Sequence, residues 1–146
     1  MAISADIDFK WYSKIDSIHT IVEIIRVLLK FGWGFNYQGG ALYLPLGDED
    51  FDWERAGFDN DDLIEIFHKK EKSGELIGIT LTWKESGVGG EFLFRQDCTF
   101  TVCLTINRQV LSEGGCTDVN WYLEKIVLAF VNSNIGIESI NFSENV

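Results

Sequence analysis

Three strands are predicted within residues 77–106, IGITLTWKESGVGGEFLFRQDCTFTVCLTI. Residues 77–83 and 100–106 alternate large apolar side chains with Gly, Thr or Cys, which is the two-residue period of a strand with one buried face. Between them, residues 91–95 form a short aromatic run. Both links between these segments are short enough for hairpins, so the stretch predicts an antiparallel meander.

A first helix is predicted upstream of the meander, over residues 14–31. Its apolar side chains recur at spacings of three and four, which places them on one face of a helix. Ser13 or Ser17 is suited to cap its start, and Gly32 is suited to end it. The pattern therefore indicates a helix that packs against a core along one side.

Two further helices are predicted, over residues 61–73 and 118–132. The first follows Asp59 and Asn60, either of which can cap it, and it carries acids in its first turn and lysines in its last. The second has apolar side chains along one face. Both helices are therefore expected to cover a sheet.

Three more strands are predicted at residues 32–37, 41–46 and 135–142. The first two flank a Gly-Gly turn and are predicted to pair as a hairpin. The tail, residues 143–146, is expected to fray. The prediction is a single α+β domain over residues 1–146, with an antiparallel or mixed sheet of about five to six strands packed with three helices.

Composition limits the class of protein. A chain of 146 residues with 46% hydrophobic residues can bury one core without cross-links. Its N-terminus lacks the apolar run of a secretory signal, and no segment has the roughly 20 apolar residues that span a bilayer. An odd number of cysteines fits a compartment in which thiols stay reduced. The three cysteines are Cys98, Cys103 and Cys116. We therefore expect a cytoplasmic protein.

The net charge of −11 disfavours two kinds of partner. Nucleic acids are bound mainly through Lys and Arg, which contact the phosphates. Anionic membrane surfaces attract the same basic side chains. We therefore expect no nucleic acid and no membrane as a partner, and a basic protein is the partner that the charge favours.

Most of the charge imbalance lies in residues 47–65, GDEDFDWERAGFDNDDLIE, which contain nine acidic residues and one arginine. Helix capping accounts for the acids beside the second helix, but not for those upstream. Aromatic residues lie between the upstream carboxylates, and a loop that is only solvated has no need of them. The predicted partner-binding residues, here called the acidic loop, are Asp48, Glu49, Asp50, Phe51, Asp52, Trp53 and Glu54.

The acidic loop contains two aromatic residues. Trp53 lies between Asp52 and Glu54, and its ring is expected to be exposed for a partner. Phe51 has two open roles, because it is placed either to anchor the loop to the protein or to join Trp53 at the interface. In the preferred interpretation, Trp53 and Phe51 together form the desolvated centre of the interface.

A calcium site is an alternative use of the same acids. Asp48, Asp50 and Asp52 have the spacing that begins a calcium loop, and Asp59 falls at its twelfth position. Trp53, however, replaces the glycine that the sixth position needs. We therefore assign no metal to the chain.

Candidate catalytic residues have simpler interpretations. Cys116 precedes a predicted helix, whose N-terminus lowers a thiol pKa, but a turn residue is the favoured interpretation. Cys103 is mid-strand, and neither His19 nor His68 belongs to a catalytic motif. We therefore assign no catalytic residue and no cofactor, and the chain is not expected to be an enzyme.

The chain resembles the immunity proteins of bacterial polymorphic-toxin and contact-dependent growth inhibition systems. The resemblance lies in its size, its acidity and the sequence DEDFDWE at residues 48–54. It implies a cytoplasmic inhibitor that neutralises a cationic toxin domain, such as a nuclease, by covering it with an acidic and aromatic surface.

Two alternatives remain open on the sequence. Type III secretion chaperones are similar in size, acidity and α+β content, although the hairpin at residues 35–44 followed by a helix departs from their order. They would imply a homodimer with an apolar groove. A small enzyme would instead require a cleft with a pair of polar residues of perturbed pKa.

Overall fold

The computed structural model describes the chain over residues 4–13, 20–56, 60–112 and 115–145. Eight strands and three helices lie within them, and they form one α+β domain. In chain order the elements are β1 (Ser4–Ser13), α1 (Ile21–Phe31), β2 (Trp33–Gly34), β3 (Leu42–Tyr43), β4 (Glu54–Arg55), α2 (Asn60–Lys72), β5 (Ile77–Trp83), β6 (Gly89–Phe94), β7 (Thr99–Ile106), α3 (Val119–Asn132) and β8 (Ile135–Asn145).

All the strands belong to one antiparallel sheet. Its order is β4-β3-β5-β6-β7-β1-β8, and β2 pairs with β5 beside β3. The predicted meander is confirmed, because β5, β6 and β7 are consecutive neighbours. The expectation of about five to six strands is wrong, because the sheet has eight.

The strand β1 is the main element that the sequence-based prediction omits. It pairs with β7 on one side and with β8 on the other. Ala5, Ile7, Phe9 and Trp11 are buried and alternate with residues on the opposite face. The two-residue period was therefore present, although charged residues at the alternate positions hide it in a hydrophobicity count.

Two other strand predictions need correction. The tail expected to fray is part of β8 up to Asn145, which pairs with Ser4 of β1. The predicted hairpin between residues 32–37 and 41–46 does not form, because β2 and β3 both pair with β5. A single bridge between Tyr37 and Gly40 closes the turn.

The helix α1 begins later than predicted. Its cap is Thr20, whose side chain accepts a hydrogen bond from the backbone N–H of Glu23. Ser13 ends β1 instead, and Ser17 lies outside the described residues. The C-terminal cap is Gly32 as predicted, at a φ of 142°, and its N–H donates to the Leu28 carbonyl.

A side chain of α2 also caps α1. The Glu71 carboxylate accepts the N–H of Ile21 at 2.7 Å and that of Val22 at 3.3 Å. These are donors that the first turn of a helix leaves without partners, and the negative charge lies at the positive end of the helix dipole. Glu71 therefore joins two helices that are far apart in sequence.

The core lies between the helices and one face of the sheet. Residues on that face, such as Ile79, Phe92, Val102 and Ile7, are fully buried and lie side by side across four strands. Apolar residues of all three helices belong to the same cluster. The opposite face of β1, β7 and β8 is polar, so the sheet has a buried side and a hydrophilic side.

Replacing Glu71 with Ala should lower the free energy of unfolding by about 1–2 kcal/mol, because two helical N–H groups lose a charged acceptor. Urea denaturation measures this change. The matched control is Glu65→Ala, which removes a carboxylate from an exposed position of α2 and should change stability by less than about 0.5 kcal/mol. Equal effects of the two substitutions would contradict the capping role.

Candidate functional site

The acidic loop leaves the sheet at the end of β3 and returns to it as β4. Lys70 holds the segment that leads into the loop, because its ammonium group donates to the carbonyls of Leu44 at 2.7 Å and Pro45 at 3.1 Å. Lys70 is 1% exposed, and burial lowers its pKa while Glu75 and Asp48 oppose that shift. The two carbonyls therefore compensate a buried charge and fix the segment that leads into the loop.

Asp48 folds the acidic loop onto itself. Its two carboxylate oxygens accept the N–H groups of Phe51 at 3.1 Å and Asp52 at 2.9 Å. Its own N–H donates to the carbonyl of Pro45 at 3.2 Å. Asp48 is thus occupied in shaping the loop, and this role differs from the expected contact with a partner.

Phe51 is the exposed aromatic residue of the acidic loop. Its backbone has a φ of 57°, a left-handed conformation that bulky residues rarely adopt. Its side chain is 55% exposed, and the Asp48 carboxylate holds the turn through the N–H groups of Phe51 and Asp52. These local hydrogen bonds support the left-handed conformation and leave the ring in solvent.

Trp53 is the aromatic residue that anchors the acidic loop. Its ring and the Leu44 side chain lie over Gly78 of β5, where an added Cβ would be 2.9 Å from Trp53 Cη2 and 2.6 Å from Leu44 Cδ1. Only glycine leaves room for both side chains. The aromatic ring presented to solvent is therefore Phe51, whereas Trp53, whose ring was expected to be exposed, is half-buried.

Glu49, Asp50 and Asp52, the neighbours of Phe51 in sequence, are also exposed. Glu54 accepts a hydrogen bond from the Tyr43 hydroxyl at 3.5 Å, and burial followed by this carboxylate raises the pKa of Tyr43. The arginine of the segment points elsewhere: Arg55 donates to the Tyr37 carbonyl at 3.2 Å and to Gln38 at 3.0 Å. The acidic loop thus presents an aromatic ring and three exposed acidic residues.

The helix α2 begins with Asn60, and Asp61 and Asp62 lie in its first turn. This agrees with the expectation that these acids serve the helix N-terminus. Phe58 and Asp59 lie outside the described residues. The cap of α2 and the twelfth position of a calcium loop are therefore not placed. Among the described residues, no group of three or more His, Cys, Asp or Glu is arranged to hold a metal ion.

The candidate nucleophiles have unfavourable surroundings. Burial, followed by the charges of Glu91 and Asp6, raises the pKa of Cys103 to about 11, so its thiol is protonated at neutral pH. These three residues lie side by side on the hydrophilic face, because Cys103 pairs with Asp6 of β1 and with Glu91 of β6. Cys116 and His68 are exposed, and His19 lies outside the described residues.

Comparisons of the chain with protein-family models, with curated protein sequences and with solved structures find no match. Among the described residues, no helix has the length and apolarity needed to cross a membrane.

Replacing Asp48 with Ala should loosen the acidic loop. The amides of Phe51 and Asp52 lose their acceptor, so their hydrogen exchange should accelerate roughly five- to tenfold, as expected for a net hydrogen-bond energy of about 1 kcal/mol. The control is Asp50→Ala, which removes the same charge from an exposed position. If Asp50→Ala accelerates exchange equally, the effect comes from charge and not from the Asp48 hydrogen bonds.

Replacing Glu91 with Gln should stabilise the protein at pH 7. Burial raises the pKa of the half-buried Glu91, so the folded state favours the protonated acid, and stability is lost as the pH rises above the unfolded pKa of 4.5. Gln removes this loss. The gain should be below about 1 kcal/mol because solvent screens the charge, and it should vanish below pH 4.5.

Urea denaturation at pH 4 and at pH 7 measures the change. The control, Glu85→Gln in the exposed turn between β5 and β6, should show no pH-dependent gain. A gain for Glu91→Gln that is the same at both pH values would indicate a packing effect in place of an ionisation effect.

Proposed function

We propose that the chain is a cytoplasmic immunity protein that binds and neutralises a cationic toxin domain through the acidic loop. The observation that supports this most directly is Phe51. The ring is held out into solvent in a left-handed backbone conformation, and its neighbours in sequence, Glu49, Asp50 and Asp52, are exposed. Aromatic anchors surrounded by polar groups are typical of the energetic centre of a protein interface.

Different residues of the acidic loop contribute to different steps of binding. Exposed carboxylates attract a basic surface at a distance and speed the encounter, particularly at low salt. The Phe51 ring is buried only when the complex forms, so it slows dissociation. Asp48 and Trp53 act indirectly, because the first shapes the loop and the second fixes it on β5.

Preorganisation strengthens this proposal. A flexible loop loses conformational entropy when it binds, which reduces its affinity. Here Lys70 holds the segment that leads into the loop, Asp48 closes the turn of the loop and Trp53 holds its end. The carboxylates are therefore presented with little ordering left to occur on binding.

The partner is proposed to be a basic domain whose site accommodates phosphate, as in a nuclease. Carboxylates can occupy positions that are built for phosphate oxygens, since both are anionic hydrogen-bond acceptors. Such inhibition requires no catalytic residue, metal or cofactor in the inhibitor. It needs a surface that covers the site, and the acidic loop supplies the matching charge.

Co-expression with the product of the neighbouring gene, followed by co-purification, tests whether a basic protein binds this chain. Two substitutions then test the proposal on that complex. Asp50→Lys should lower the association rate constant by roughly tenfold and weaken its dependence on salt. Phe51→Ala should mainly raise the dissociation rate constant, at a cost of about 2 kcal/mol or more. Stopped-flow mixing and surface plasmon resonance measure these rates.

The matched controls lie on other parts of the surface. Glu85→Lys reverses a charge in the exposed turn between β5 and β6, and Leu111→Ala removes an apolar side chain that is 51% exposed. Both should bind like the wild type. If Asp50→Lys and Phe51→Ala also bind like the wild type, or if no basic protein co-purifies, the acidic loop is not the interface.

A further inference from the structure

The two edges of the sheet are built differently. One edge ends in β4, which has only two residues, Glu54 and Arg55, both charged. The other edge is β8, which has eleven residues and, among the described residues, pairs with β1 alone. Proteins usually protect such an edge with charges, proline or short length. The central part of β8, residues 139–143, has neither charge nor proline.

An apolar surface lies beside this unprotected edge. Ile140 and Phe142 of β8 are 40% and 38% exposed, on the side of the sheet that carries the helices. Leu128 and Val131 of α3 are 47% and 56% exposed. Together these four residues are called the edge patch. A shallow groove between α3 and β8 includes Leu128 and Ile140, so the patch is continuous across the two elements.

Charge distinguishes the edge patch from the rest of this acidic chain. The nearby carboxylates of β8 have basic neighbours: Glu138 is 3.4 Å from Lys10, and Glu144 is 3.5 Å from Arg108. The groove itself adds one exposed carboxylate, Glu124 of α3, which accepts a hydrogen bond from Asn120. A basic partner has less to attract it here than at the opposite edge, where the exposed carboxylates of the acidic loop lie. A second copy, by contrast, meets its own strand, in which Glu138 of one copy would lie opposite Glu144 of the other. The Lys10 and Arg108 side chains beside these carboxylates offset the like-charge contact.

We propose that the edge patch binds a second copy of this chain, with the two β8 strands paired antiparallel about a two-fold axis near Asn141. An unpaired strand edge alternates donors and acceptors, so it is complementary to itself. This pairing places Ile140 of each copy opposite Phe142 of the other, an aromatic and β-branched pair that stabilises sheets. Leu128 and Val131 enlarge the buried area on the helix side.

Analytical ultracentrifugation of the full chain tests the proposal, from micromolar to submillimolar concentration. The wild type should sediment with twice the 16.6 kDa mass of the chain at the upper concentrations. The double variant Ile140→Lys/Phe142→Lys should remain monomeric. Both replaced side chains are partly exposed, so the fold should persist, which circular dichroism verifies. The matched control is Leu46→Lys. It changes a similarly exposed residue that follows β3, near the opposite edge of the sheet, and this variant should dimerise normally.

Salt provides an independent readout. Each copy carries a charge of −11, so added NaCl should screen the repulsion and tighten the dimer. Binding of a basic partner by the acidic loop should respond in the opposite direction, so the two proposals can fail separately. Hydrogen exchange of the wild type should also show concentration-dependent protection in β8 and none in β4.

Three results would overturn the proposal. The first is a wild-type chain that is monomeric throughout the concentration range, including a monomer that binds an extended client peptide along β8. The second is a dimer that persists in the Ile140→Lys/Phe142→Lys variant. The third is a dimer in which β8 gains no protection from hydrogen exchange.

Discussion

The buried ammonium group of Lys70 is the point at which the helix layer, the sheet and the acidic loop meet. A charge with almost no solvent contact is tolerated only when polar groups surround it, and here the carbonyls of Leu44 and Pro45 supply them. The next residue, Glu71, caps α1 from the same helix. Two consecutive side chains of α2 therefore position one helix and the segment that leads into the acidic loop. The far end of the loop is held separately, because Trp53 packs over Gly78 of β5.

The acidic loop combines a rigid frame with an exposed surface. Asp48 and Trp53 are directed inward, the first to backbone N–H groups and the second to Gly78. Glu49, Asp50, Phe51 and Asp52 are directed outward. Asp48 holds the turn that contains Phe51, whose backbone is left-handed. The loop therefore has both an anchored side and an exposed side.

Local patterns predicted the helices and the central meander, because the periodicity of these elements is visible in consecutive residues. The same patterns do not predict which strands pair when the partners are distant in sequence. The strands β2 and β3 pair with β5 and not with each other, and β4 has two charged residues that carry no strand signal. Likewise, no local pattern shows that Gly78 leaves room for Trp53. The composition of the acidic loop was therefore predictable, but the separate roles of Phe51 and Trp53 were not.

The sheet order determines how the two proposed surfaces relate. Five strand intervals separate β3, where the acidic loop begins, from β8. At about 4.8 Å per interval, this distance is roughly 24 Å. Pairing of two copies through β8 would then place their acidic loops at the two ends of one continuous sheet, roughly 50 Å apart. A small toxin domain cannot contact both loops, so each copy would bind its own partner. Dimerisation would leave the affinity of each acidic loop unchanged and would add no avidity for a monomeric partner.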